Sequence, residues 1–226
     1  MGKALFITGT GTDIGKTYVT GLIVKKLHDA GLRAGYYKAA LSGAETLADG
    51  TLLPGDALHV AQIARLAAED ASVSYIYRDA VSPHLAAQIE KRPIDFDKVE
   101  QDFKQAQERT DYLTVEGSGG IICPLRWDDE EHVVLDDLIL RLGLSALVVA
   151  DAGLGTINAA VLTAEHLRMR GISLKGFIFN NWQGGTMQED NVRMVEALTG
   201  APVLACVEHG AVELPMAVDA LAALYD

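Results

Sequence analysis

A glycine-rich segment near the N-terminus carries the clearest chemical signal in the sequence. It runs from Thr8 to Thr17 as TGTGTDIGKT and follows the apolar run Ala4–Thr8. Its glycines let successive backbone N–H groups surround phosphate oxygens, and a helix beginning after them would direct its unpaired N–H groups at the same anion. Lys16 adds a cation for the β- and γ-phosphates, and the Thr17 hydroxyl is placed to bind Mg²⁺. The segment therefore predicts a binding loop for a nucleoside triphosphate.

The class of nucleotide-binding protein has to be inferred from other segments. GTPases normally recognise guanine through an Asn-Lys-x-Asp motif at a strand end, whereas the corresponding segment here is Asn180-Asn181-Trp182. Partitioning-type ATPases usually carry an additional lysine early in the loop, and no lysine lies between Thr8 and Gly15. The sequence therefore supports neither of these two classes.

A second lysine lies at the end of another predicted strand. Lys38 follows Tyr36-Tyr37, and ligands of open α/β sheets bind at the carboxyl ends of parallel strands. A second cation beside Lys16 would stabilise an anionic group during its transfer. The alternative is a surface lysine whose aliphatic stem packs on the protein while its ammonium stays in water.

Three carboxylates compete for a role at a bound metal. Asp56 could cap the helix that runs to about Arg65, or it could lie near Mg²⁺. Glu116 ends a predicted strand and Asp151 ends another, and a carboxylate at either strand end could bind Mg²⁺. The glycines that follow Glu116 would permit close approach of a phosphate, which favours Glu116, while Asp151 remains the alternative.

Helix-like segments end four times at a glycine that is followed by an apolar run typical of strands. The four pairs are Gly31 with Arg33–Tyr37, Gly143 with Ser145–Ala150, Gly171 with Lys175–Phe179, and Gly200 with Pro202–Val207. Glycine just past a helix end adopts the left-handed conformation without steric cost. Ala4–Thr8 and Tyr112–Glu116 predict two more strands, the second after the amphipathic stretch Phe96–Arg109. Strands without strict polar alternation are covered on both faces, so the pattern predicts a three-layer α/β/α P-loop NTPase fold with a mostly parallel central sheet.

Composition narrows the classes of protein that remain. The chain has 226 residues with 19 Lys plus Arg against 31 Asp plus Glu, a formal net charge of −12. We expect a single domain over residues 1–226 and no nucleic-acid partner. No apolar run approaches the ~20 residues that span a bilayer, and the N-terminus shows no signal-peptide pattern. We therefore expect a cytoplasmic protein without a membrane partner.

Four further features of the sequence carry predictions about single residues and loops. Cys123 and Cys206 have no metal-ligand or CxxC spacing, and we expect two buried apolar thiols. The acidic run 128–131 is expected to be a solvated loop, and 44–54 a long loop at the ligand-binding edge. His84 could be a general base, but a structural role is favoured.

Several segments together resemble the dethiobiotin synthetase family. They are Thr8–Thr17, Tyr37-Lys38 with Ser42-Gly43, Gly55-Asp56-Ala57, Ser82-Pro83-His84, Arg92-Pro93-Ile94, Val115–Gly120, Gly155–Asn158 and Asn180. They occur in the family's order over roughly residues 4–181. The resemblance implies a homodimeric P-loop enzyme that forms the cyclic urea dethiobiotin from 7,8-diaminopelargonic acid (7,8-diaminononanoate), CO₂ or bicarbonate, and ATP. Mg²⁺ is the implied cofactor, and ADP and phosphate are the other products.

The same resemblance implies roles for individual residues. Lys16 and Lys38 would be catalytic, and Thr17, Asp56 and Glu116 would bind Mg²⁺. The implied nucleotide-binding residues are Asp13, Ile14, Gly15, Lys16, Thr17, Tyr18, Asp56, Glu116, Gly117, Ser118, Gly119, Asn180 and Asn181. The implied substrate-binding residues are Thr12, Lys38, Ser42, Gly155, Thr156 and Asn158, the last three from the partner subunit. Asn158 could instead, or in addition, cap the helix that runs to Arg170.

Two departures from the family pattern are visible in the sequence. The family usually has proline after the lysine of the second strand, where this chain has Ala39, and commonly has Gly-x-x-Pro where this chain has Ala205–Glu208. Two other functions use the same loop and metal: a small-molecule P-loop kinase, which needs no CO₂, and a nucleotide-switched binding protein.

Overall fold

Parallel strands buried on both faces form the centre of the computed structural model, which describes residues 2–226. Over these residues the strands are β1 Lys3–Gly9, β2 Ala34–Leu41, β3 Glu45–Thr46, β4 Leu52–Leu53, β5 Ala71–Ile76, β6 Tyr112–Glu116, β7 Pro124–Trp127, β8 His132–Val134, β9 Ala146–Asp151, β10 Leu174–Trp182 and β11 Val203–Glu208. Seven of them form the main sheet in the order β11-β10-β9-β1-β6-β2-β5. All six neighbouring pairs in this sheet are parallel, so the prediction of a mostly parallel sheet is confirmed.

Helices cover both faces of the sheet. Over the same residues they are α1 Lys16–Asp29, α2 Gly55–Ala64, α3 Pro83–Ile89, α4 Phe96–Arg109, α5 Leu135–Leu142, α6 Thr156–Met169, α7 Thr186–Thr199 and α8 Val218–Ala222. Apolar residues of α1, α2 and α8 form the core on one face, and those of α3 to α7 form the core on the other. The three-layer α/β/α architecture predicted from the sequence is therefore confirmed.

The four glycines predicted to end helices all have positive φ angles. The values are 80° at Gly31, 65° at Gly143, 71° at Gly171 and 71° at Gly200. A residue with a Cβ atom would be strained in this left-handed region, so glycine fits each helix-to-strand connection.

Two elements close to β2 differ from the sequence prediction. Strand β5 was not predicted; it pairs with β2 at the edge of the sheet, and only Tyr75 of its six residues is buried. The predicted loop 44–54 contains a two-residue antiparallel hairpin, β3 with β4. Both elements bury little apolar surface, which explains why their hydrophobic pattern is weak.

The acidic run and the two cysteines also differ from expectation. Arg126 donates hydrogen bonds to Asp128 and Glu130 at 2.6 Å each and to Glu131 at 3.3 Å, so most of the run is ion-paired rather than simply solvated. Cys123 and Cys206 are free and half-buried rather than fully buried. Desolvation raises the pKa of both thiols.

Among residues 2–226, no helix combines the length and the apolar character needed to cross a bilayer.

Candidate active site

A cavity of about 420 Å³ opens at the carboxyl ends of the central strands, beside the glycine-rich loop between β1 and α1. Its lining residues are Thr12, Asp13, Gly15, Lys16, Thr17, Lys38, Leu41, Ser42, Asp56, Glu116, Ser118 and Gly119. Eleven of these twelve residues were predicted as site residues from the sequence, and Leu41 was not. We call this space the loop cavity.

The glycine-rich loop is shaped to leave the start of α1 free for an anion. Gly15 precedes the helix with φ at 84°, and no side chain caps the first turn. The side-chain amide of Asn180 donates a hydrogen bond of 3.0 Å to the carbonyl oxygen of Ile14. A Cβ atom at Gly15 would collide with that amide. Backbone N–H groups at such a helix start, with the positive end of the helix dipole, attract phosphate.

Lys16 extends from the first turn of α1 back toward the loop. Its Nζ donates a hydrogen bond of 2.7 Å to the carbonyl oxygen of Gly11. Burial lowers the pKa of Lys16, and the nearby Glu116 carboxylate partly opposes that effect. The residue therefore places a largely desolvated cation inside the loop, where a phosphate would be its natural counter-ion.

Lys38 lies between two carboxylates. Its Nζ donates to Asp56 Oδ2 at 2.5 Å and to Glu116 Oε1 at 2.7 Å. Burial lowers the pKa of Lys38, but the negative charges of Glu116 and Asp56 outweigh this and raise it overall. The side chain is only 6% exposed, so the alternative of a surface lysine is wrong.

The structure separates the three candidate carboxylates. Glu116 Oε1 also accepts a hydrogen bond of 2.9 Å from Thr17 Oγ1, so Glu116 is in contact with the loop. Asp151 instead accepts from the Gly153 backbone at 2.8 Å and from Asn181 Nδ2 at 2.6 Å. The arrangement therefore brings Glu116 to Thr17 and Lys38, and leaves Asp151 outside the loop cavity.

The prediction that Asp56 caps a helix is wrong. Helix α2 begins at Gly55 after Pro54, and no side chain accepts a hydrogen bond from its first turn. Asp56 lies inside that turn, and its carboxylate is held by the Lys38 ammonium instead. Pro54 occupies the N-cap position, so Asp56 lies too far into the helix to cap it.

The glycine-rich segment after β6 closes the opposite wall of the loop cavity. Ser118 and Gly119 line the cavity, and Ser118 Oγ donates to the Ala40 carbonyl at 2.7 Å. Gly117 lies just behind, where a Cβ atom would come within 2.7 Å of Leu135 and 2.9 Å of Phe6. Leu135 and Phe6 thus occupy the space that a side chain at position 117 would need, so glycine is required there.

A second cavity of about 400 Å³ continues from the other side of the loop. It is lined by Asp13, Gly15, Tyr18, Asn180, Asn181, His209 and Gly210, and we call it the base cavity. Tyr18 donates a hydrogen bond to the Ala211 carbonyl, which ties α1 to the segment after β11. His209 and Gly210 were not predicted from the sequence, although their position just past the carboxyl end of β11 was a usable signal.

The segment at the start of α6 is not part of either cavity. Gly155 is the N-cap residue of α6, with φ at 94°, and Asn158 is an exposed residue two positions after Thr156. The alternative in which Asn158 caps the helix is therefore wrong, because α6 begins earlier. Within one chain the structure does not bring Gly155, Thr156 or Asn158 to the loop cavity.

His84 also lies away from the glycine-rich loop. It is in the first turn of α3 and lines a separate cavity with Arg126 and Trp127. Its Nδ1 atom is buried without a hydrogen-bond partner. This position gives His84 no contact with the loop cavity, which argues against its role as a general base there.

Comparisons with known proteins support this picture of the fold. A family model described as an AAA domain matches residues 3–212. The MinC:MinD cell division complex of Aquifex aeolicus has a TM-score of 0.55 at 15% identity, covering 98% of this chain and 86% of that one. A ParA family ATPase from Chlorobium tepidum has a TM-score of 0.55 at 14% identity, covering 91% and 83%. At these identities the two structures show the fold alone.

Relatives found by sequence share a much higher identity with this chain than the two solved structures do. An ATP-dependent dethiobiotin synthetase of Brachyspira hyodysenteriae is 48% identical over 216 residues, which cover 95% of this chain and 96% of the relative. An enzyme with the same name from Clostridium botulinum is 44% identical over 228 residues, covering 100% of this chain and 99% of the relative. Similarity at this level over the whole length of both proteins identifies the chain as a member of the ATP-dependent dethiobiotin synthetase family.

Proposed function

We propose that this chain carries out the ATP- and Mg²⁺-dependent carboxylation and ring closure of 7,8-diaminononanoate with CO₂, giving dethiobiotin, ADP and phosphate. Family membership makes it an ATP-dependent ligase that forms C–N bonds. The observation that carries the proposal is the pairing of two buried lysines in the loop cavity, Lys16 from α1 and Lys38 from β2. Two ammonium groups beside one phosphate-binding loop suit a reaction in which a carbamate and a phosphoryl group, both anionic, must meet.

The reaction can be written so that every atom is accounted for. One amine of the substrate attacks CO₂ and loses a proton, which gives a carbamate. The carbamate oxygen attacks the γ-phosphorus of ATP, the bond from that phosphorus to ADP breaks, and a carbamic–phosphoric mixed anhydride remains. The second amine attacks the carbonyl carbon and loses a proton, phosphate leaves, and the cyclic urea closes. No covalent bond to the protein is needed at any step.

The work of the protein in this scheme is positioning and charge neutralisation. Lys38 would face the carbamate and Lys16 the β- and γ-phosphates, while Thr12 and Ser42 would contact the substrate. Holding the amines, the carbamate and the γ-phosphate in line can contribute about 7–11 kcal/mol at the limit of effective molarity. The two ammonium groups would offset the negative charge on the phosphoryl group during its transfer.

The oxygen atoms near the loop fit a Mg²⁺ ion. Thr17 Oγ1, Asp56 and Glu116 supply a hydroxyl and two carboxylates, and Glu116 Oε2 is buried without a hydrogen-bond partner. Mg²⁺ in such sites is usually held by one or two carboxylates together with substrate phosphates. When bound, the metal would offset charge on the phosphates of ATP. We assign these three residues as its protein ligands.

Replacing Asp56 with asparagine is expected to raise the Mg²⁺ concentration needed for half-maximal rate by about ten-fold, because a carboxylate ligand becomes neutral. Rates measured over a Mg²⁺ titration at fixed ATP test this. Asp97→Asn is the matched control, since Asp97 lies in the first turn of α4 as Asp56 does in α2. An unchanged Mg²⁺ requirement in Asp56→Asn would remove Asp56 from the ligand set.

The base cavity suits adenine. Asn180 uses its amide nitrogen on the Ile14 carbonyl, and its Oδ1 atom is buried without a partner. An unpaired buried acceptor favours a ligand that donates, such as the exocyclic amine of adenine, over the carbonyl that guanine presents at the same position. We therefore propose that Asn180 meets the base, with Tyr18 and Asn181 beside it, and that ATP is preferred over GTP.

We propose that the active form is a homodimer. Leu154 is 90% exposed, Leu162 62% and Met169 77%, and Leu162 and Met169 are seven residues apart on one face of α6. Apolar side chains grouped in this way favour burial against a second copy. The start of α6 beside them has the N–H groups and dipole that suit a carboxylate, and Thr156 Oγ1 is buried without a partner. Gly155, Thr156 and Asn158 would therefore bind the substrate carboxylate across the interface.

We place the proposed reaction in the cytoplasm, where ATP is supplied and free cysteines such as these two stay reduced.

The substrates that the proposed reaction requires separate it from the two other functions that use a P-loop. ADP release by the purified chain should need both the diamine and bicarbonate. A kinase would release ADP with the diamine alone, and a nucleotide switch would hydrolyse ATP without either; each result would contradict the proposal.

A further inference from the structure

Leu41 differs in character from every other residue that lines the loop cavity. The other eleven carry hydroxyl groups, charges or no side chain at all. Leu41 is the last residue of β2, and it is 4% exposed. Although it is buried, it belongs to neither of the two hydrophobic core clusters. Leu41 is thus an apolar residue at the edge of the cavity and outside both core clusters.

The proposed substrate brings an apolar group to this end of the site. In 7,8-diaminononanoate the amines are on C7 and C8, a methyl group (C9) follows them, and the carboxylate is at the opposite end. The amines must lie beside Lys16 and Lys38, so the methylene chain leads away from these lysines toward the carboxylate. The methyl group is then the one apolar group that stays at the reacting end.

We infer that Leu41 is a specificity-determining residue that packs against the terminal methyl group of the diamine. This inference rests on the proposed function. A methyl group gains dispersion contacts with a leucine side chain without removing water from a polar group, whereas packing on hydroxyl or charged groups carries that desolvation cost. Contact on this side would also fix the direction in which the C8 amine points, since the methyl group and the amine share one carbon atom. Leu41 thus selects the substrate and orients the amine without taking part in the chemistry.

The test compares two substrates that differ by that methyl group. The ratio of kcat/KM for 7,8-diaminononanoate to that for 7,8-diaminooctanoate is measured by dethiobiotin or nor-dethiobiotin formation. A well-packed methyl group is worth about ten-fold or more in such a ratio. We expect at least that preference in the natural sequence and less than about three-fold in Leu41→Ala. The KM for ATP should be the same in the natural protein and in the Leu41→Ala variant.

Leu58→Ala is the matched control, because Leu58 is an exposed leucine on α2 that does not line the loop cavity. It should keep the natural ratio. Leu41→Val retains a strand-forming side chain and guards against a folding defect in the alanine variant; its ratio should be intermediate. Equal ratios in the natural, Leu41→Val and Leu41→Ala proteins would overturn the inference alone. Failure of the natural protein to form a cyclic urea from either diamine would overturn the proposed function, and the inference with it.

Discussion

Replacing Lys16 with alanine is expected to lower kcat about 10³-fold while the protein stays folded. The Lys16 ammonium lies inside the glycine-rich loop, 2.7 Å from the Gly11 carbonyl, where it would meet the β- and γ-phosphates. Burial lowers its pKa, which means that the folded protein bears a cost for keeping this cation charged. Its removal therefore takes charge stabilisation from the reaction without taking packing from the core.

The measurement is a steady-state rate together with a thermal melt followed by circular dichroism. Lys26→Ala provides the control, since Lys26 is on the same helix but does not line either cavity. It should keep the natural rate and melting temperature within experimental error. A folded Lys16→Ala protein with near-natural turnover would show that the loop does not serve the reaction.

Mixing two impaired variants is expected to restore activity if the sites are shared between subunits. A Lys16→Ala subunit still supplies Asn158 to its partner, and an Asn158→Ala subunit still supplies an intact loop. A heterodimer of the two has one complete site out of two, so about half of the natural activity per heterodimer should return. In a random equimolar mixture about half of the dimers are heterodimers, which gives about a quarter of the natural activity.

The control for this experiment is a mixture of Lys16→Ala with Glu116→Gln. Both residues line the loop cavity of the same chain, so every site in that heterodimer is defective and no activity should return. Subunit exchange is verified by mass spectrometry of differently tagged chains. Exchanged Lys16→Ala and Asn158→Ala heterodimers without recovered activity would contradict the shared site.

The main features of the fold could be predicted from sequence because they depend on local signals. Strands such as β1 and β9 are apolar along their length since helices cover both faces, and each glycine after a helix has the positive φ that excludes most other residues. Strand β5 was missed because it lies at the sheet edge with one buried residue in six. Its sequence, ASVSYI, gives no continuous apolar run like those that predicted the other strands of the main sheet, because Ser72 and Ser74 interrupt it.

The sequence predicted which residues form the site, but it did not predict the contacts between them. Lys38 and Glu116 were each placed at a strand end, but their ion pair depends on β2 lying next to β6, where the two residues are in register. Strand order is set by packing of the whole chain and is not written in either segment. The helix cap, one of the two alternatives for Asp56, is absent because α2 begins at Gly55, and Lys38, 18 residues away, holds the carboxylate instead.

The reaction proposed for this chain joins CO₂ to a vicinal diamine and converts ATP to ADP and phosphate. The most direct measurement incubates the purified protein with 7,8-diaminononanoate, Mg²⁺, ATP and ¹³C-labelled bicarbonate, and analyses the products by mass spectrometry. We expect dethiobiotin with a single ¹³C atom at the ureido carbonyl, and one ADP for each molecule of product. A phosphorylated diamine without ¹³C, or ADP without any change in the diamine, would contradict the claim.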